Sequence, residues 1–164
     1  MKVHFGNAPN DIDSKELWDL FWEDSKEFDW DTMPLILVVN QETGSATLFK
    51  EVDDIKGMVE IIKSAKRYMS DVTAVLIYSE GWGVKSDDNR DEAYKHIGPP
   101  SQHPDRIEMK VCMFMSKDFS SSRTLFRGKD GEPDTEDEMD GEGLYNPSSN
   151  LGVEAIRLRK EMDW

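Results

Sequence analysis

One short stretch of the chain combines the residue types of acid–base chemistry. The sequence GPPSQHPDRIE, residues 98–108, contains His103, Asp105 and Arg106. An imidazole carries protons near neutral pH, a neighbouring carboxylate orients it, and a guanidinium holds an anion. The same residues also suit a plain turn, in which Pro104 fixes the backbone and Asp105 caps the turn. Both interpretations stay open at this level.

A second stretch, SEGWG, follows an apolar strand pattern and supplies Glu80 and Trp82. If this strand and the strand after the histidine segment are neighbours, both stretches converge at one end of a sheet. A small enzyme built there would use His103 as the proton carrier, Glu80 as the orienting carboxylate and Arg106 as the anion holder.

The familiar catalytic and cofactor motifs do not occur in this sequence. There is no G-x-S-x-G elbow, no phosphate-binding glycine loop and no His or Cys spacing typical of a metal site, so we expect no cofactor and no metal. The one cysteine, Cys112, lies in an apolar strand pattern and reads as a small buried hydrophobe. A lone cysteine, no apolar run at the start and no run of about 18 apolar residues predict a cytoplasmic protein.

Charge is the strongest global feature. The 164 residues contain 34 acids and 20 bases, which gives a formal net charge of -14. Such a field repels nucleic acids and anionic membranes, and it favours a protein partner with a basic surface. We therefore expect neither direct nucleic-acid binding nor membrane binding.

Half of this net charge comes from one segment, KDGEPDTEDEMDGEG, residues 129–143. Its glycines and its near lack of apolar residues predict an exposed loop or a disordered segment over residues 129–150. A calcium-binding EF-hand loop is excluded, because Gly141 fits position six but Pro147 then falls at position twelve, where a glutamate is needed.

The rest of the chain predicts a single α+β domain, residues 1–128 plus 151–164, with a mixed sheet of about five strands and helices packed on it. The strands follow apolar runs and a hairpin signal at NQETGS. They lie at residues 35–39, 46–49, 72–78, 107–116 and 124–128, the last as an edge strand.

Three helices are predicted from apolar residues at three- and four-residue steps. The first is capped by Asp13 or Ser14. Its expected stripe is Leu17, Leu20, Phe21, Asp24 and Phe28. The second covers residues 53–69. The closing helix carries Leu151, Ala155, Leu158 and Met162.

Two tryptophans lie one turn apart on a neighbouring face of the first helix. Aromatic residues at the spacing of Trp18 and Trp22 usually belong to a core, and an aromatic ridge that binds a partner is the alternative.

The pair SEGW and PSQHPDRIE resembles a phrase found in an uncharacterised family of small phage and bacterial proteins. The resemblance covers roughly residues 72–127. It implies no activity and no site residues, but it does point to an origin in a mobile element.

Taken together, the sequence predicts a non-enzymatic acidic binding protein. A phage-encoded inhibitor that occupies the basic nucleic-acid-binding surface of a host defence protein fits the charge, because carboxylates replace phosphates against Lys and Arg. The alternative is the small enzyme at Glu80, His103 and Arg106. The expected binding residues are Trp82, Asp105, Glu132, Asp134, Glu136, Asp137, Glu138 and Asp140.

Overall fold

The computed structural model describes residues 1–83, 100–140 and 150–164, which build a seven-stranded sheet flanked by three helices. The elements in chain order are β1 (Lys2–Asn7), α1 (Ser14–Lys26), β2 (Leu35–Val39), β3 (Ser45–Lys50), α2 (Met58–Ala65), β4 (Ala74–Gly83), a 3-10 turn (Pro100–Gln102), β5 (Ile107–Ser116), β6 (Ser120–Phe126), β7 (Thr135–Asp140) and α3 (Asn150–Met162). The strands lie in the order β1-β3-β2-β4-β5-β6-β7.

The predicted α+β class is confirmed, but the sheet differs from the prediction in two ways. Every neighbouring pair of its strands is antiparallel, so the expected mixed sheet is wrong. The sheet also has seven strands instead of about five. The five predicted strands correspond to β2–β6, but the last was predicted as an edge strand at residues 124–128, whereas β6 begins at Ser120 and lies between β5 and β7. The two strands that were missed are the outermost ones, which carry no apolar run because no core covers them.

The sheet buries both faces in its centre. On β4, the side chains of Leu76 and Tyr78 pack with the α1 helix, while those of Val75 and Ile77 pack with α2 and α3. This alternation follows from the two-residue period of a strand. A strand in the middle of such a three-layer arrangement needs apolar residues on both faces, which explains the unbroken apolar run.

Helix α1 begins where the sequence predicts, because the side chain of Asp13 accepts a hydrogen bond of 2.6 Å from the Lys15 N–H. Trp18 and Trp22 are both buried, so the core interpretation holds and no aromatic ridge forms. The predicted stripe is wrong at Leu20, which is 52% exposed, and at Asp24, which is also exposed, while Phe28 lies beyond the end of the helix. The buried face is rotated toward the tryptophans, since they fill more volume against the sheet.

Helix α2 is shorter than the predicted range of residues 53–69. It starts after Gly57, which has a φ of 93°, and it ends at Ala65. The apolar periodicity continues past the helix, because Met69 is still buried in the same core. Helix α3 is confirmed, with Ala155 and Leu158 buried against α2 and the sheet.

The turn between β2 and β3 depends on glycine at position 44. Gly44 has a φ of 78°, and a Cβ there would lie 2.3 Å from the carbonyl oxygen of Ala8. The backbone of the β1–α1 connection therefore approaches the turn closely, and the Ala8 N–H donates to the Gly44 carbonyl.

Among the helices of the described ranges, none combines the length and apolar character needed to span a membrane.

Candidate functional site

Strand β7 lies beside helix α1 on one face of the sheet and is tied to it by a lysine. The Nζ atom of Lys26, in the last turn of α1, lies 2.9 Å from Oε1 of Glu136 on β7 and 2.9 Å from Oε1 of Glu23. Residues 135–140 of the predicted loop or disordered segment are thus a paired strand, and residues 141–149 of that prediction lie outside the described residues. The ladder with β6 and this ion pair offset the ordering entropy that the polar sequence cannot repay by itself.

An arginine forms the second connection between the helix and the outer strands. Arg123 of β6 has an almost buried side chain, and its guanidinium lies 4.9 Å from the ring centroid of Trp18. Its nitrogen atoms lie 2.8 Å from Asp19 and 3.5 Å from Glu138. A buried guanidinium needs such partners, and here they come from both α1 and β7.

A groove of about 560 Å³ opens between α1 and β7. It is lined by Trp22, Glu23, Arg123, Glu136, Asp137 and Glu138. Four carboxylates and one guanidinium give these lining residues a net charge of -3. We call this the acidic groove.

The carboxylates of the acidic groove remain open to solvent although some are paired. The side chains of Glu23, Glu136 and Glu138 are 67%, 52% and 58% exposed. Ion pairs with this exposure are weak and exchange readily with other cations. The acidic groove can therefore accept an ammonium or guanidinium group from outside.

Two pKa shifts reflect these contacts. The pKa of Asp19 is lowered, first by the hydrogen bond from Lys15 and then by that from Arg123. The pKa of Lys26 is raised, first by Glu23 and then by Glu136. Both shifts favour the charged forms of Asp19 and Lys26, the two α1 residues that pair with Arg123 and Glu136.

The predicted binding residues that precede β7 lie in the turn from β6. Glu132 and Asp134 are exposed, and the Asp134 carboxylate accepts a hydrogen bond of 2.7 Å from the Gly128 N–H. A Cβ at Gly128 would lie 2.2 Å from the Glu132 carbonyl oxygen, so the turn is closely folded. Asp140 is opposite Ser121 in the β6–β7 ladder, so the acidic residues continue along the whole strand.

Glu80 lies on β4, and the hydrogen bonds of its carboxylate go to another part of the chain than the histidine segment. Its carboxylate accepts hydrogen bonds from the N–H groups of Asp31 and Thr32, at 2.8 and 3.2 Å, and from the Tyr78 hydroxyl at 2.5 Å. It holds the connection between α1 and β2 against the sheet. Burial and the neighbouring Glu80 raise the pKa of Tyr78, which keeps its hydroxyl protonated as the donor.

The histidine segment is a compact turn at the start of β5. The Asp105 N–H donates to Nδ1 of His103 at 3.0 Å, and the Arg106 N–H donates to the His103 carbonyl oxygen at 3.2 Å. The guanidinium of Arg106 lies 5.1 Å from the ring centroid of Trp82. The structure therefore brings Trp82, His103, Asp105 and Arg106 together at one end of the sheet, as expected.

Glu80 is not part of that group. It is opposite Lys110, four residues along β5 from Arg106. Four strand residues span about 14 Å, and the Glu80 carboxylate is already engaged with three donors. The enzymatic alternative stays a prediction, and this arrangement gives Glu80 a structural role. Glu108, which follows the histidine turn on β5, pairs with Arg127.

Lys110 positions the end of α1 and hence the acidic groove. This buried lysine donates from Nζ to the carbonyl oxygens of Lys26 and Phe28, and it lies 4.7 Å from the ring centroid of Trp30. A cation at a helix C-terminus satisfies free carbonyls and complements the helix dipole.

Cys112 is buried beneath α1, in the core that contains Trp18 and Phe114. Burial raises the pKa of its thiol to about 12, and the Ser25 hydroxyl contact only partly opposes that shift. The thiolate is therefore absent near neutral pH, as a structural role requires.

Sequence reasoning identified the carboxylates of β7 but missed the residues that organise them. Glu23 and Lys26 come from α1, far from the acidic segment in the chain, and Arg123 comes from β6, the strand that pairs with β7. The only available signal was Lys26, a cation in the last turn of a predicted helix.

No family model, no curated protein and no solved structure matches this chain.

Proposed function

We propose that this protein is a non-enzymatic acidic binding protein whose acidic groove and β7 receive the basic surface of a protein partner. More specifically, it acts as an inhibitor that occupies the nucleic-acid-binding surface of a host defence protein. The resemblance to phage and bacterial proteins supports that setting, and the net charge of -14 supports a basic partner.

The observation that carries this proposal is the linear array of carboxylates on β7. A six-residue strand spans about 17 Å between its ends, and this one carries Glu136, Asp137, Glu138 and Asp140. One strand of duplex DNA carries about five phosphate charges over the same length. A surface evolved to hold phosphates thus meets a similar density of negative charge on β7.

The acidic groove adds what a charged loop lacks, which is a fixed position for the charges. The ladder with β6 fixes the β7 backbone, and Lys26 and Arg123 anchor it to α1. Fixed carboxylates lose little conformational entropy on binding, so more of their interaction with a basic partner appears as affinity.

The experiment begins with immobilised protein and a nuclease-treated bacterial lysate, followed by identification of the bound protein. That protein must bind DNA or RNA by itself, and this chain must displace the nucleic acid from it with a 1:1 stoichiometry. Capture of a protein that does not bind nucleic acid, or whose nucleic acid is not displaced, contradicts the inhibitor proposal.

Two triple variants then locate the contact. The groove variant is Glu136→Gln, Asp137→Asn and Glu138→Gln. The matched control is Glu42→Gln, Asp53→Asn and Glu60→Gln, which removes the same three charges from exposed residues elsewhere. We expect at least a tenfold loss of affinity for the groove variant, an effect within about threefold for the control, and weaker wild-type binding as salt rises. Equal effects of the two variants would place the contact elsewhere.

A further inference from the structure

The opposite edge of the sheet, β1, presents a free strand edge. Within the described residues, β1 pairs only with β3, and all six of its residues are exposed. The Ala8 N–H donates to the Gly44 carbonyl, so even-numbered residues of β1 direct their backbone groups toward β3. Hydrogen bonding alternates along an antiparallel strand. The N–H and C=O groups of Val3 and Phe5 therefore point away from the sheet.

The ladder between β2 and β3 supports the same alternation. The Asn40 N–H donates to the Ser45 carbonyl at 2.8 Å, which assigns odd-numbered residues of β3 to β2. Even-numbered residues of β3 then bond to β1, in agreement with the Ala8 contact.

The two outward-directed residues of β1 are also apolar. The surfaces of Val3 and Phe5 are 42% and 64% exposed, and the Phe5 ring contacts the ring of Tyr68 edge-on, with a centroid distance of 5.3 Å. Tyr68 is itself exposed, so the three side chains form one apolar patch beside the edge.

The two edges of the sheet differ in how they resist self-pairing. Strand β7 carries four acids, so a second β7 placed against it would bring like charges together. Strand β1 has no acidic residue and no proline, and its only lysine, Lys2, is already paired with Glu51. Charge and proline are common devices that protect an edge, and β1 lacks both at its centre.

We propose that β1 is a self-association edge, at which β1 of a second copy of this chain pairs antiparallel to extend the sheet across a twofold axis. When the twofold axis passes between the two His4 residues, Val3 of each copy lies opposite Phe5 of the other copy. Both residues then exchange the backbone hydrogen bonds that point outward in one copy. The four apolar side chains lie on the same face, next to the two Tyr68 rings.

The association is weak, because a six-residue strand pair forms a small interface. Interfaces below about 1,200 Å² are typical of transient complexes. Two copies that each carry a formal net charge of -14 also repel each other. Added salt screens this repulsion and therefore strengthens the contact. The salt dependence is thus opposite to that of the acidic groove, and the failure of one proposal does not imply the failure of the other.

Sedimentation equilibrium of the full chain at micromolar to millimolar concentration tests the proposal. We expect the mass to rise from one chain to two, with a stronger rise at high salt. A single-chain mass throughout this range would overturn the proposal, as would growth to larger open assemblies, which a twofold contact cannot produce.

Three variants identify the edge. Phe5→Lys places a charge in the apolar patch and should weaken the dimer at least tenfold. Leu20→Lys, at another exposed apolar residue, should leave it unchanged. Val3→Pro removes an N–H that only the dimer uses, so it should abolish the dimer while the monomer stays folded. A dimer that survives Val3→Pro, or that Leu20→Lys disrupts equally, would overturn strand pairing at β1.

Amide hydrogen exchange gives a readout within one strand. The His4 and Gly6 amides bond to β3 and should be protected at every concentration. The Val3 and Phe5 amides should become protected only at the concentrations where the dimer forms. Protection of Val3 and Phe5 in dilute protein would show that another part of the chain covers the edge, which would also overturn the proposal.

Discussion

Lys26 of α1 and Glu136 of β7 lie 110 residues apart in the chain and 2.9 Å apart in the fold. This pair joins α1 to β7. The position of β7, which lines one side of the acidic groove, therefore depends on a contact between residues that are distant in the sequence. The pair also explains how a segment with five polar residues out of six remains a strand, because a helix residue holds the Glu136 side chain in place.

Replacing this lysine tests that explanation. Lys26→Met should cost no more than about 1 kcal/mol of unfolding free energy, as is typical for exposed ion pairs. It should nevertheless speed amide exchange over residues 135–140, because β7 loses its link to α1. Lys63→Met is the control, since Lys63 also bridges two acids, Glu60 and Glu161, but lies on α2. Equal exchange of β7 in both variants would refute the link.

The ion pairs of Asp19 predict a pH-dependent contribution to stability. The pKa of Asp19 in the folded state is below its ordinary value of 3.8, so its contribution is present above that pH and is lost as pH falls through the lowered pKa. Asp19→Asn should therefore destabilise the protein at pH 7, by about 1 kcal/mol or less. The difference from wild type should vanish in strong acid.

Urea unfolding at pH 7, 5, 3 and 2 measures this difference for Asp19→Asn and for Asp53→Asn, an exposed carboxylate at the α2 end of the fold. The second variant should show little difference at any of these pH values. An effect of Asp19→Asn that persists undiminished at pH 2 would contradict the assigned ion pairs.

The separation of Glu80 from the histidine turn predicts independent effects. Glu80→Ala leaves the Tyr78 hydroxyl and two backbone N–H groups without their acceptor, so it should cost about 1–3 kcal/mol. His103→Ala should cost less than about 1 kcal/mol, because it removes one exposed contact in a turn. The double variant should show the sum of the two losses. The unfolding free energies of the wild type, the two single variants and the double variant give the coupling energy between Glu80 and His103. A coupling energy well above about 0.5 kcal/mol would support an acid–base site that contains both residues.

Burial of Cys112 predicts a protected thiol. Its pKa of about 12 and its place beneath α1 should prevent reaction with a disulfide reagent at pH 8 in the folded protein, with full reaction in denaturant. Cys112→Ala should cost about 1 kcal/mol, similar to the loss of one buried methylene-sized group. Rapid modification of the native protein would show that the α1 layer opens.

The central strands illustrate what sequence predicts well. Runs such as Leu35–Val39 and the apolar start of β4 are buried on both faces, so hydrophobic pattern alone indicates their position. The cap of α1 and the apolar periodicity of α3 are equally local signals, which is why Asp13 and Leu158 lie where expected.

Other features had no local signal. Strands β1 and β7 are edge strands whose residues do not contribute to the core. They form because their backbones pair with β3 and β6. Leu20 is exposed because α1 is rotated about its axis so that Trp18 is buried. Helical spacing alone does not specify this rotation.

The sequence by itself determined the charge of this protein, its α+β class, the core strands and the carboxylates that a basic partner would meet. Only the tertiary structure decided that Glu136 and Glu138 line a groove with Arg123, that Lys26 pairs with Glu136, and that the Glu80 carboxylate bonds to Tyr78 and the α1–β2 connection. The physical reason is the distance along the sequence between the residues that interact. Burial and capping depend on neighbours within a few residues, whereas an ion pair across a sheet depends on strand order and register, which the whole chain sets together.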